Sequence, residues 1–220
     1  MVVRDIRLIV LDFDGVIAES NGAKDEAFHE LFGEYPEHEA SMLAFHEENF
    51  SSPRMVKFRH YAQNLMEGGD EDAVARMATR FSELVVDRVV ATELVPGARE
   101  FLDRWSQRVP LYVASVTPQD ELRVIVQRKG LSRYFAGVFG NPPLEKSDAI
   151  RRAFEAEKVD PVHTLLVGDA PSDSAAAQTA GVGFVGRVSE KGFGELEVVA
   201  ASDLFGVAEI LEQWMDSADV

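Results

Sequence analysis

Leu8-Ile9-Val10-Leu11-Asp12-Phe13-Asp14-Gly15 is the stretch on which the reading of this chain turns. Four consecutive apolar residues without alternation fit a strand buried on both faces of a parallel sheet. Two carboxylates follow, one residue apart. In extended backbone residues i and i+2 point the same way, so Asp12 and Asp14 can face one pocket, one as nucleophile and the other as acid/base. Like charges that close call for a nearby cation, or for one of them to hold a proton. By itself the motif reads equally as an acidic turn closed by Gly15. A calcium loop counted from Asp12 fails, because its glycine position holds Ile17 and its closing glutamate position holds Ala23.

Outward from this run, further β-rich segments stand at Leu111-Ala114, Ala136-Phe139, Thr164-Val167 and Gly183-Val185. Helical patterns lie between and after them: Gly97-Arg108, Pro118-Lys129, Lys146-Glu157, Asp173-Ala180 ending at Gly181, and Leu204-Met215 capped by Asp203. Strands alternating with helices predict an α/β fold with a doubly wound parallel sheet, whose ligands bind at the carboxyl ends of the strands. Residues 18–92 break the alternation. Only helical spacing is found there, as in Val74, Met77, Phe81, Leu84 and Val85, with breaks at Gly33-Pro36, Ser51-Pro53 and Gly68-Gly69-Asp70. The expected organisation is a core of residues 1–17 and 93–220, with 18–92 as an all-helical cap inserted after the first strand and hanging over the catalytic rim as a lid.

The 220 residues are 46% hydrophobic, enough to bury a full core. A net charge of −16 repels nucleic acid and anionic membrane, so an anionic substrate needs a local positive site. The absence of cysteine excludes disulfides, thiol nucleophiles and Cys-type zinc sites. Met1 to Val10 does not read as a signal peptide and no run reaches membrane-spanning length, so a cytoplasmic location is expected.

Four strand ends each deliver a polar group. The first gives Asp12 and Asp14, the second gives Ser115 and Val116, the loop after the third leads to Lys146, and the fourth gives Asp169 with Asp173 following. Ser115 reads either as a satisfied hydroxyl near a helix start or as part of a phosphate site, where the helix N-terminus leaves N–H groups open to an anion. Thr117 and Asp120 read as a capping box with Pro118 at N1. Lys146 is a cation at the positive end of a helix, a misfit that points to a partner such as Asp12 or a bound phosphate. Acids at the same sheet edge call for a divalent cation, and an all-oxygen ligand set suits magnesium.

The ordered set Asp12-Phe13-Asp14-Gly15-Val16, Ser115, Lys146 and Gly168-Asp169-Ala-Pro-Ser-Asp173 resembles the four motifs of the haloacid dehalogenase (HAD) superfamily, in its phosphoglycolate phosphatase-like and β-phosphoglucomutase-like branch with a helical cap. The resemblance implies a Rossmann-like core and a phosphatase acting on a small phosphorylated metabolite. It implies Asp12 as the nucleophile that becomes an aspartyl-phosphate, and Asp14 as general acid and then base. Ser115, Val116 and Lys146 would hold the phosphoryl group, while Asp12, the Asp14 carbonyl and Asp169 would bind Mg²⁺ with Asp173 in support. Asp14 argues against the family's dehalogenases and phosphonate hydrolases. Two departures stand out: Val116-Thr117-Pro118 after Ser115, where Asn or Gly commonly follows, and Glu19-Ser20 where Asp-Ser or Asp-Thr is usual. A sugar phosphomutase and a catalytically silent binding protein on the same fold are the rival readings. Arg54, after Ser51-Ser52-Pro53, is a candidate for the non-reacting end of a substrate, or else begins a solvated helix. His29, His38, His46, His60 and His163 lack metal-ligand spacing, and Arg99, Arg104 and Arg108 read as a solvated helix face.

Overall fold

The computed structural model describes residues 2–49, 52–64, 70–189 and 192–216. Of the expected helix breaks, Ser51 and Gly68-Gly69 lie outside the described residues. Two compact units are present, Met1–Glu19 with Glu93–Val220, and Ser20–Thr92.

In chain order the elements are β1 (Leu8–Leu11), then α1 (Asn21–Gly33), α2 (Glu39–Glu48), α3 (Arg54–Asn64) and α4 (Glu71–Ala91) of the helical unit. The sheet unit continues with α5 (Ala98–Trp105), β2 (Leu111–Ser115), α6 (Gln119–Arg128), β3 (Gly137–Gly140), α7 (Lys146–Glu157), β4 (Thr164–Gly168), α8 (Pro171–Ala180), β5 (Gly183–Arg187), β6 (Ala200–Ala201) and α9 (Leu204–Asp216). All strand pairs are parallel, in the order β3-β2-β1-β4-β5-β6.

β1 sits between β2 and β4, at the point where the strand order reverses direction. That position leaves a crevice at the carboxyl ends of the strands, and Asp12 stands on its rim. Every residue of β1, β2 and β4 is buried, as the unbroken apolar run of β1 predicts for a strand covered on both faces. Leu8 and Val10 of β1 join Ala114 and Leu166 in a cluster with Ala149, Ile150 and Ala153 of α7 and Ala177 of α8. The small residues on these two helices let them lie close to the strands. Elsewhere in this unit α5 packs on α9 through faces that bury Phe101, Leu102 and Trp105, and Leu204, Val207 and Leu211.

The helical unit is held by an aromatic core. Phe28 lies 4.3 Å from Phe81 and 4.2 Å from the His46 ring, and Phe32 meets Tyr61 edge to face at 4.9 Å. A polar chain threads this core: Lys57 Nζ is 2.9 Å from His46 Nδ1, and His46 Nε2 is 2.9 Å from Asp25. An ammonium can only donate, so Nδ1 accepts and the ring proton sits on Nε2, donating to Asp25. Lys57 is 1% exposed. Among the described residues no helix is long and apolar enough to cross a membrane.

Several expected boundaries move. Helix α8 begins at Pro171 rather than Asp173, because proline takes the first turn and the Asp173 carboxylate reaches back to accept from the Ala170 N–H at 3.1 Å. The capping box expected at Thr117 and Asp120 is absent: Pro118 is extended, with ψ 143°, so α6 starts only at Gln119. Asp203 does cap α9, accepting from the Gly206 N–H at 2.8 Å. Arg104 and Arg108 are not simply solvated, since both pair with Glu212 of α9.

Candidate active site

The site is built at the carboxyl ends of β1, β2 and β4 and at the start of α7. Asp12 follows β1 directly and is 6% exposed, with its N–H bonded to the Val167 carbonyl of β4 at 2.9 Å. Its Oδ1 accepts from the Phe13 N–H at 2.8 Å, which fixes the carboxylate plane. Lys146, the first residue of α7, places Nζ 3.0 Å from Asp12 Oδ2 and also pairs with Asp173. Burial lowers the Lys146 ammonium, but Asp12 and Asp173 outweigh it, so the pKa lies above the ordinary lysine value and the charge is kept. The misfit of a cation at a helix start is thereby resolved by two carboxylates.

Asp173 is fully buried and uses both oxygens. One accepts from Lys146, the other from the Asp169 and Ala170 N–H groups at 3.0 and 3.1 Å. That approach needs Gly168, because a Cβ there would sit 2.3 Å from Asp173 Cβ. Asp14 is held from another side: Ser115 and Thr117 hydroxyls donate to its Oδ2 at 3.2 and 3.0 Å, and the Thr117 N–H donates to Ser115 Oγ at 3.1 Å. A hydroxyl can also turn and accept, so this pair serves Asp14 in either protonation state. Thr117 belongs to the site although its local sequence pointed to a helix cap. Val116 is half-buried in the same loop, between the two hydroxyl residues.

Asp12, Asp14, Ser115, Lys146, Asp169 and Asp173 thus gather at one sheet edge. Arg54 lies in the other unit, where its guanidinium donates to Ser82 Oγ at 3.2 Å and stands 5.2 Å from the Phe81 ring centre.

Charge is the dominant feature. Burial pushes the Asp12 carboxyl well above its usual range, Lys146 opposing while Asp173, Asp169 and Asp14 push further in the same direction. Oxygens of Asp12, Asp169 and Asp173 lie within 4.8 Å of one another, all buried. One ammonium cannot balance four acids, and the donors are all hard oxygens, so the chemistry of the set fits a divalent cation of the magnesium type.

The family model for haloacid dehalogenase-like hydrolases matches residues 6–181, spanning all of these positions. The chain belongs to this family. Among curated relatives of this HAD-like hydrolase, the phosphoglycolate phosphatase of Pseudomonas fluorescens is 28% identical over 80% of this chain and 67% of its own length. The phosphoglycolate phosphatase of Vibrio vulnificus is 25% identical over 98% of this chain and 97% of its own. In architecture the hydrolase is similar to CbbY from Rhodobacter sphaeroides, solved in complex with phosphate, with a TM-score of 0.77 and 17% identity over 94% of this chain and 99% of that one. The HAD-like hydrolase is an enzyme of the phosphatase class.

Proposed function

We propose that the enzyme hydrolyses a small phosphorylated metabolite through an aspartyl-phosphate on Asp12. The observation that carries this reading is the Lys146 ammonium, bonded to Asp12 on one side and Asp173 on the other, with Asp14 held nearby by two hydroxyls. A carboxylate oxygen of Asp12 attacks phosphorus as the bond from phosphorus to the leaving oxygen breaks, and protonated Asp14 gives its proton to the departing alcohol. Asp14, now a carboxylate, takes a proton from water as that water attacks phosphorus, which frees Asp12 and releases inorganic phosphate. Lys146, Ser115 and Val116 bind the phosphoryl oxygens, on which the negative charge is concentrated.

Mg²⁺ would be held by Asp12, the Asp14 carbonyl and Asp169, with Asp173 in support through the backbone it orders. Bound there, it supplies positive charge that keeps Asp12 ionised and offsets the charge of the phosphoryl group.

The names of the curated relatives make 2-phosphoglycolate the first substrate to assay. A panel of phosphorylated metabolites, with Mg²⁺ or with chelator, should show release of inorganic phosphate from a small monoester only in the presence of the cation. Isomerisation of a sugar phosphate without net phosphate release would overturn the assignment in favour of a mutase.

A further inference from the structure

Arg187 ends β5, outside the four motifs, and is a charged residue only 8% exposed. Its guanidinium is bonded on every edge. Nη1 donates to the Gly15 carbonyl and to Glu19 Oε2, each at 3.1 Å, Nη2 donates to Glu19 Oε1, and Nε donates to the Ser202 carbonyl at 3.1 Å. Burying a guanidinium is costly unless its donors are met, and here a fork of donors closes on a carboxylate while one arm also holds a main-chain oxygen.

The target of that arm is the residue after Asp14. Gly15 has φ 73°, and its N–H bonds the Ala18 carbonyl at 2.8 Å, so the chain reverses sharply just past the acid/base carboxyl. Ser115 and Thr117 fix the Asp14 side chain, but the direction in which it leaves the backbone is set by this turn. Glu19, a departure from the family's usual aspartate at that position, supplies the counter-charge that holds Arg187 against the turn.

We propose that Arg187, steadied by Glu19, is a positioning residue that aims Asp14 as the general acid. The inference rests on the assignment of Asp14 as proton donor to the leaving group. Removing the guanidinium frees the Gly15 carbonyl, so proton delivery suffers while Asp12, Lys146 and the phosphate-binding loop keep their own bonds.

The test is a leaving-group series. For 4-nitrophenyl phosphate, whose leaving group departs without a proton, kcat/KM of Arg187→Gln should stay within about 3-fold of the parent. For an alkyl phosphate, which needs the proton, it should fall by about tenfold or more, a part of the roughly 10²–10⁴ that general acid catalysis supplies. Arg187→Lys should recover part of the loss. Glu19→Gln, which leaves Arg187 in place, should shift the ratio in the same direction by less, and carries the test if Arg187→Gln does not fold. Asp14→Asn is the reference. If Asp14→Asn itself fails to discriminate between the esters, the assignment of Asp14 is wrong. If it discriminates while both the Arg187 and Glu19 variants lower the two esters equally, or neither, the positioning role is overturned.

Discussion

Lys146 and Asp173 form an ion pair at the base of the site, and the same Asp173 carboxylate accepts the Asp169 and Ala170 N–H groups that shape the loop after β4. One side chain therefore fixes both the ammonium beside Asp12 and the backbone carrying a candidate metal ligand.

Asp173→Ala should accordingly be costly in two ways. Removing Asp173 leaves Lys146 with Asp12 as its remaining carboxylate partner and strips the Asp169 and Ala170 N–H groups of their acceptor, a combined loss of about 1–3 kcal/mol. Thermal or denaturant unfolding should show the drop, and at permissive temperature the affinity for inorganic phosphate should weaken as Lys146 loses its anchor. A stability within about 1 kcal/mol of the parent would show that the pair is replaceable.

Asp12→Asn should abolish turnover and yet stabilise the metal-free protein. Burial raises the folded-state pKa of Asp12, so the stability it contributes is present below its unfolded value and is lost as pH rises through the raised folded value. At neutral pH in chelator the amide variant should therefore melt higher than the parent, and the gap should close as pH falls toward about 4. A lower melting temperature at neutral pH would show that Lys146 already compensates the charge.

Cation binding should restore what the acid cluster costs. With Mg²⁺ at about 100 times its dissociation constant the parent gains about 2.7 kcal/mol of folding stability by mass action. Asp169→Asn should gain much less. Melting curves across a Mg²⁺ titration check this without reference to turnover, and equal gains in the two proteins would place the cation elsewhere.

Thr117→Val should slow turnover by about tenfold while KM stays within a few-fold, because a hydrogen bond to a charged group is worth about 1.5–3 kcal/mol and this one holds Asp14, the proposed acid/base. Thr117→Ser should keep most of the rate. If the valine variant turns over normally, Ser115 alone suffices to hold Asp14.

The polar chain in the helical unit makes a separate prediction. His46→Leu removes one hydrogen-bond acceptor from the buried Lys57 side chain and should cost about 1–3 kcal/mol, whereas the double change His46→Leu with Lys57→Met removes donor and acceptor together and should recover part of that. Additive losses in chemical unfolding would mean that the two residues act independently.

The parallel core was legible because β1, β2 and β4 are buried on both faces and so appear as unbroken apolar runs, and because Lys146-Glu157 carries a clear helical period. Strand β6 was not, since Ala200-Ala201 is too short to show any period. Thr117 misled for a local reason: Thr-Pro-Gln-Asp satisfies the spacing of a capping box, but extended Pro118 delays the helix and frees the hydroxyl for Asp14, 103 residues away in sequence. The bond from Arg187 to Glu19 joins residues 168 apart, and no window of sequence contains both. Lys57 and His46 sit on the separate helices α3 and α2, and helical spacing within each does not reveal that the two side chains meet. Contacts made by the sheet order are invisible to spacing, while those made by one strand and the turn behind it are not.

The chain leaves and re-enters the sheet unit along two adjacent segments, with the Glu19 N–H on the Glu93 carbonyl and the Val95 N–H on the Ile17 carbonyl, each at 3.0 Å. These bonds clasp the ends of the insertion independently of what is inserted. A chain whose two ends already lie paired can accept a shorter or longer segment with little additional loop-closure entropy. The same junction is therefore a natural splice point, at which residues 20–92 can be exchanged for another module, by evolution or by design, while the strand that carries Asp12 keeps its register.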